Sequence, residues 1–277
     1  VPTSLVFGTD GSKTASIWLK NAAGNVSTRV DSNTVVVDTV APSLASATVT
    51  TASPTNSTTL GLTYGAVTDS YTQYCILENS TTLASCSFVG GTLPANFVVS
   101  GADGAKVLSV WVRDGAGNTS SRVDTNAVTL DRTAPVLASA SITNSSPTGT
   151  TVYALGYGAI TGSYVDYCIL ENSTIVASCV YVAGTLPSSF SVSSTENAKV
   201  LSIWLRDAAG NVSARVDTNS VTLDTSVPSA ASITITNSSP TNTTTYSISY
   251  GAIGSTYSEY CILENSTSVG SCVYVAG

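Results

Sequence analysis

The stretch Ser109-Val110-Trp111-Val112-Arg113-Asp114-Gly115-Ala116-Gly117-Asn118 has near-copies at 16–25 and 202–211, so that Trp18, Trp111 and Trp204 stand 93 residues apart. The cysteines keep the same interval: Cys75, Cys168 and Cys261, then Cys86, Cys179 and Cys272. A fixed period of this length constrains the fold more than any local pattern, because each repeat must be one folding unit and the chain an array of them. The period also matches the ordinary size of a domain. Pro42, Pro135 and Pro228 punctuate the array, each a few residues past an acidic residue, Asp38, Asp131 or Asp224. The boundaries that follow are two whole repeats, 42–134 and 135–227, flanked by the C-terminal part of a repeat in 1–41 and the N-terminal half of one in 228–277.

Inside a repeat the periodicity is that of strands. Leu108, Val110 and Val112 alternate with Ser109, Trp111 and Arg113, which predicts a half-buried strand with the aliphatic trio facing a core and Trp111 on the other side. Gly and Asn then supply a tight turn, and a returning strand carries Val128 and Leu130 on one face and ends at Asp131. In the second whole repeat the same reading places strands near 137–143, 151–157, 164–170, 175–182, 189–193, 199–206 and 215–224, with turn residues such as Asn144-Ser145-Ser146-Pro147 between them. The expected fold is all-β: tandem immunoglobulin-like β-sandwiches of about seven strands each, in a linear array.

Composition narrows the function classes. The chain is 43% apolar and only 10% charged, but its apolar residues are scattered and alternating, with no run near the ~20 residues of a membrane helix. A net charge of −7 argues against nucleic acid, which demands a basic patch, and is compatible with cations. There is no His at all, hence no usual general base or Ser-His pair. Acidic residues recur in every repeat and no insertion builds a pocket, so an enzyme is not expected. The cysteine pairs lack any Cys-x-x-Cys or His partner for zinc, which favours disulfides and an oxidising, extracellular or cell-surface setting. Cys168 to Cys179 reads as a hairpin with Ser173 and Thr174 at its tip, its two sulfurs meeting across adjacent strands. Closing so short a loop stabilises a domain by roughly 2 to 3 kcal/mol.

The run Tyr167-Cys168-Ile169-Leu170-Glu171-Asn172, through Pro187 and Phe190 to Lys199, Trp204-Leu205-Arg206-Asp207 and Ala209-Gly210-Asn211, resembles the tandem bacterial Ig-like repeat domains of large secreted or surface-attached fibrous and adhesin proteins. The resemblance covers the chain repeat by repeat and is carried above all by the Trp-x-[Arg/Lys]-[Asp/Asn]-x-Ala-Gly-Asn hairpin. It implies a spacer, stalk or adhesive fibre. On that view the first 41 residues and the last 50 are matching parts of one sandwich, completed by adjoining sequence or by a neighbouring subunit in an end-to-end filament.

Three kinds of site are candidates beyond the disulfides. Trp18, Trp111 and Trp204 are expected on the outer face of their sheet, where the ring either stacks on a surface glycan or is covered by Arg113 and Arg122. Asp114 and Asn118 with Asp131, and Asp207 and Asn211 with Asp224, are candidate calcium ligands at the joints, an expectation strengthened by the resemblance but weakened by Asn21 in the first copy. Asn-x-Ser/Thr sequences, among them Asn79, Asn118, Asn172 and Asn211, fall in expected turns.

Overall fold

The computed structural model describes all residues, 1–277, and is all-β, with three short 3-10 turns and no α-helix. It divides into two compact units. One comprises Val1–Pro135 with Gly162–Val165 and Arg206–Ser213; the other comprises Val136–Thr161, Asp166–Leu205 and Ala214–Gly277.

Within the first unit, a four-stranded sheet runs in the order Val89–Gly90, Gln73–Glu78, Leu108–Arg113, Val123–Asp124. A three-stranded sheet runs Asn96–Val98, Thr59–Tyr64, Ala47–Val49, and every pairing in both sheets is antiparallel. The longest ladder sets Leu108 against Glu78 and Arg113 against Gln73, six residues in register. Because successive side chains point to opposite faces, Leu108, Val110 and Val112 share one face and are fully buried. Leu108 packs with Val49, Leu60 and Leu62 of the facing sheet, and with Val99, Val128 and Leu130. Val110 and Val112 pack with Leu44 and Ala47. The result is a sandwich held by apolar burial worth about 1.5 to 3 kcal/mol per large side chain.

The second unit repeats the plan. Its four-stranded sheet runs Val182–Ala183, Asp166–Glu171, Leu201–Arg206, Val216–Asp217, and its three-stranded sheet Ala140–Ile142, Val152–Tyr157, Ser189–Ser191. Ile142, Tyr153, Val192, Leu201, Val221 and Leu223 form the core.

Three expected strands differ. The segment 137–143 is two short strands, Val136–Leu137 pairing with Ile160–Thr161 and Ala140–Ile142 pairing with Val152–Tyr157. Likewise 215–224 splits into Val216–Asp217, on Leu201–Arg206, and Val221–Thr222, on Ala198–Lys199. The segment 175–182 is not a strand. The chain leaves the ladder at Asn172, whose φ is 49°, makes a 3-10 turn at Val176–Ser178, and rejoins only where Val182 meets Tyr167. Asn tolerates that left-handed conformation and so ends the ladder before a tight hairpin can form.

Residues 1–41 and 228–277 hold only two-stranded pairings. In 1–41 these are Gly11–Lys13 with Val35–Val37 and Ser16–Ile17 with Val30–Asp31. In 228–277 they are Ser229–Ala230 with Ile253–Gly254, Ile233–Ile235 with Ile248–Tyr250, and Glu259–Tyr260 with Val275–Ala276. Positions that are core elsewhere stand open in these segments. Val49 and Ile142 are each 4% exposed, whereas Ile235, at the same place in the period, is 58% exposed.

Candidate functional site

The central strand places chemistry on both of its faces. On the face away from the main core Trp111 sits opposite Cys75, and residues opposite one another in an antiparallel pair project to the same side. The Cys75–Cys86 disulfide ties the segment around Leu83–Ser85 to that side. Phe88 follows, and the Arg113 guanidinium lies 4.0 Å from its ring centroid while Nε donates to Gln73 Oε1 at 2.8 Å. Trp111 and Trp204 are only 3% and 4% exposed. The expectation of an exposed indole holds only for Trp18, at 53%. Arg113 lies over Phe88 and not over the Trp, and Arg122 pairs with Asp124 at 3.0 Å. Alternation correctly put the Trp opposite the aliphatic core. It could not show that the disulfide-bound loop supplies a second cover.

All three disulfides form, Cys75–Cys86, Cys168–Cys179 and Cys261–Cys272, each closing a sequence separation of 11, and no cysteine is free. Single-Trp variants test this arrangement. Trp111 and Trp204 are expected to emit at short wavelength and resist iodide quenching until the disulfide is reduced or the domain unfolds, whereas equal quenching of all three would contradict the covered face.

On the core face lies a group that strand periodicity did not expose. Lys106 and Lys199 are 3% and 0% exposed, and each Nζ donates to a glutamate Oε1 at 2.6 Å, Glu78 or Glu171. The same Nζ donates to Ser100 Oγ at 2.8 Å or Ser193 Oγ at 2.7 Å. Ser100 and Ser193 in turn donate to the glutamate from both backbone N and Oγ. Burial raises each carboxyl, but the hydrogen bonds from the Lys and Ser outweigh it, and both lie below the usual range. The sequence signal was a Lys at the same place in each repeat, Lys13, Lys106 and Lys199, in a chain with only 10 basic residues.

A folded carboxyl below its unfolded value stabilises fully above the unfolded pKa, about 4.3, and loses that contribution as pH falls through the folded value. Urea unfolding should therefore show the protein weakening between pH 7 and pH 3. Lys199→Met, leaving Glu171 without its cation, should cost on the order of 3 kcal/mol at pH 7. The pair-replacing Lys199→Met with Glu171→Leu should cost much less and flatten the acid dependence. Equal costs for both variants would contradict the pairing.

The recurring hairpin closes on its acidic residue. Asp114 Oδ1 accepts the backbone N–H of Ala116, Gly117 and Asn118 at 2.7–2.9 Å, and Oδ2 accepts Asn118 Nδ2 at 2.8 Å. Burial raises this carboxyl too, but the Asn118 side chain and the three backbone donors leave it lowered. Gly117 takes the left-handed φ of 98° that the turn needs. Asn118 Nδ2 also donates to the backbone O of Asp38 at 3.0 Å, and Asn211 Nδ2 donates to Asp131 O at 2.9 Å, each reaching back 80 residues. The hairpin thus meets the end strand of the preceding repeat. It is the backbone O of Asp131 that is brought to Asn211, while Asn118 meets Asp38 instead, and Asp224 Oδ1 accepts the local Ser226 N–H.

This geometry gives the calcium expectation no support. Asp114 Oδ1 is taken up by three backbone donors and Oδ2 accepts Asn118 Nδ2, Asp131 Oδ1 accepts Thr133 N, and no group of three acidic side chains gathers. In the first copy Asn21 Oδ1 accepts the N–H of Ala23 and Asn25 at 3.1 and 3.0 Å, so the turn needs an acceptor and not a charge.

Two further asparagines bind backbone across each repeat. Asn126 Oδ1 accepts Val49 N at 2.8 Å and its Nδ2 donates to Val49 O at 3.2 Å, as Asn219 does with Ile142. Asn79 Oδ1 accepts Val107 N and its Nδ2 donates to Ala105 O, and Asn172 does the same with Val200 and Ala198. The amides of Asn79, Asn118, Asn172 and Asn211, each in an Asn-x-Ser/Thr sequence, are thus engaged in the fold.

No family model and no curated protein sequence matches this chain. Among solved structures it is similar to the FN1–FN3 domains of chicken CNTN1, with 11% identity and a TM-score of 0.42 over 76% of this chain and 77% of that one. It is also similar to the fibronectin(III)-like modules of Clostridium thermocellum CbhA, with 11% identity and a TM-score of 0.40 over 64% and 93%. Neither likeness bears on function at that level of superposition; the sandwich class rests on the paired sheets and their shared core.

Proposed function

We propose that the chain is a structural repeat of an extracellular filament or stalk, a spacer whose work is to hold length and resist unfolding. The observation that carries this reading is where each repeat directs its chemistry. The Trp111 and Trp204 rings and the Lys106–Glu78 and Lys199–Glu171 pairs are turned into the fold, each whole repeat carries its own disulfide, and the Asn118 and Asn211 side chains join each hairpin to the end of the preceding repeat. Three disulfides with no free thiol suit an oxidising, extracellular or cell-surface setting. No helix is long and apolar enough to cross a membrane.

An adhesive role through the repeated Trp lacks a surface to work with, since the ring is covered in 42–134 and 135–227. A catalytic role would have no His to serve as general base. The open apolar faces of 1–41 and 228–277 belong to this reading as surfaces that adjoining sequence or a neighbouring subunit covers.

Electron microscopy with antibodies against residues 42–227 on the producing cells should label thin threads at regular axial intervals. Label confined to compact particles would contradict the stalk.

A further inference from the structure

The chain between two folded repeats is ordinarily the easiest place to open or cut, because few contacts hold it. The segment Asp131-Arg132-Thr133-Ala134-Pro135 departs from that rule. On one side it is tied to its own repeat. Asp131 donates its N–H to Thr55 O, Arg132 N donates to Asp103 Oδ1 at 3.0 Å, and Thr133 Oγ1 donates to Asp103 Oδ2 at 2.8 Å. Arg132 Nη1 adds a bond to Gly101 O at 3.2 Å, and Asp131 Oδ1 fixes the turn by accepting Thr133 N. On the other side lie two segments from the next repeat, Gly162–Val165 and Arg206–Ser213, which belong to the same compact unit as Val1–Pro135. Asn211 Nδ2 donates to Asp131 O at 2.9 Å, and a Cβ at Gly162 would stand 3.3 Å from Cα of the buried Pro135.

The ties recur one period away. Thr39 Oγ1 donates to Asp10 Oδ1 and Asn118 Nδ2 to Asp38 O, while Glu196 accepts Thr225 N, Thr225 Oγ1 and Ser226 Oγ at 2.6–2.8 Å. An acidic residue at 10, 103 and 196 thus holds the segment that follows the last strand of each repeat. The residue on the other side is Asn for a chemical reason: a side-chain amide nitrogen carries two hydrogens. In Asn211 one bond runs inward to Asp207 Oδ2 at 2.9 Å and closes the hairpin, and the other runs outward to the Asp131 carbonyl. Asn118 divides its donors in the same way between Asp114 Oδ2 and Asp38 O. A hydroxyl has one hydrogen to give and a carboxylate none, so neither serves both partners.

We infer that the Asp-x-Ala-Gly-Asn hairpin is the surface by which each repeat recognises the one before it: it latches the end segment of that repeat, which Asp103 holds from its own side, and so shields the connection from opening and from proteases. The latch reads a main-chain oxygen and not a side chain, so it tolerates the change from Asp38-Thr39-Val40 at one connection to Asp131-Arg132-Thr133 at the next. The inference goes beyond the stalk reading and holds for any array built from this repeat.

Limited trypsin digestion of the 1–277 protein reads the latch directly. Arg132 is exposed and lies in the latched segment, whereas Lys106 is buried in the same repeat and is cut only when that repeat unfolds. Cleavage after each is timed by mass spectrometry of the fragments. In the unaltered protein the Arg132–Thr133 bond should be cut at least tenfold more slowly than in a free peptide spanning 126–140. Asn211→Ala should raise the rate at Arg132 about fivefold, the effect of one lost hydrogen bond on the open population, with Lys106 still uncut. The double exchange Asp207→Asn with Asn211→Asp keeps an amide-to-carboxylate bond inside the hairpin but leaves no donor for the Asp131 carbonyl, and it should raise the rate by the same factor. Arg132 cut as fast in the folded protein as in the peptide, a rate unmoved by Asn211→Ala or by the double exchange, or Lys106 cut in step with Arg132, would overturn the inference. A shielded Arg132 in a protein whose cells carry no threads would remove the stalk and leave the latch in place.

Discussion

The six-residue ladder between Leu108–Arg113 and Gln73–Glu78 is the constraint on which a repeat depends. Its register sends Leu108, Val110 and Val112 into the main core and Trp111 under the disulfide-bound loop, so both faces of one strand are buried. A slip by one residue would exchange the faces, driving Arg113 toward the aliphatic core and the aliphatic trio under the loop. The Cys75–Cys86 bond pins the partner strand at the residue opposite Trp111, so that cover and register reinforce each other.

A buried lysine within this core is a cost unless its partner and hydrogen bonds are supplied together. Here Glu78 and Ser100 converge on Lys106, and Glu171 and Ser193 on Lys199, with matching distances in both repeats. Replacing the pair by hydrocarbon is the stabilising choice in many proteins. A polar clamp between distant parts of a repeat contributes what hydrocarbon does not: it makes one pairing of those parts distinguishable from another. In an array of near-identical units, where mispairing between neighbours is the characteristic hazard, that selectivity has a use.

Much of this was legible in the sequence because periodicity carries it. The strand with its three inward aliphatic residues, the returning Val128 and Leu130, the cysteine pairs and the sandwich class all follow from alternation and spacing. What was not legible depends on packing between distant segments. Trp111 and Trp204 are buried on the side of the disulfide-bound segments that follow the left-handed Asn79 and Asn172 respectively, residues which alternation reads only as turn residues. The partner of Lys106 lies 28 residues away, and the partner of Asn118 lies 80 away. The hairpin carboxylate was a candidate cation ligand as well as a turn former in sequence, and the three turn amides that Asp114 Oδ1 accepts cannot be counted before the turn is seen.

The proposed stalk would work only if each repeat is an independent mechanical element with part of its length locked behind a disulfide. Pulling the 1–277 chain from its ends in a force-extension experiment measures that directly. Two unfolding events of equal length are expected, one for each whole sandwich, and reductant should lengthen each by roughly 33 Å, the reach of the 11-residue separation at ~3.5 Å per residue less the 5.8 or 5.7 Å between Cα atoms that the disulfide already spans. A single event spanning both repeats, or step lengths indifferent to reductant, would contradict the picture of separate, disulfide-limited domains.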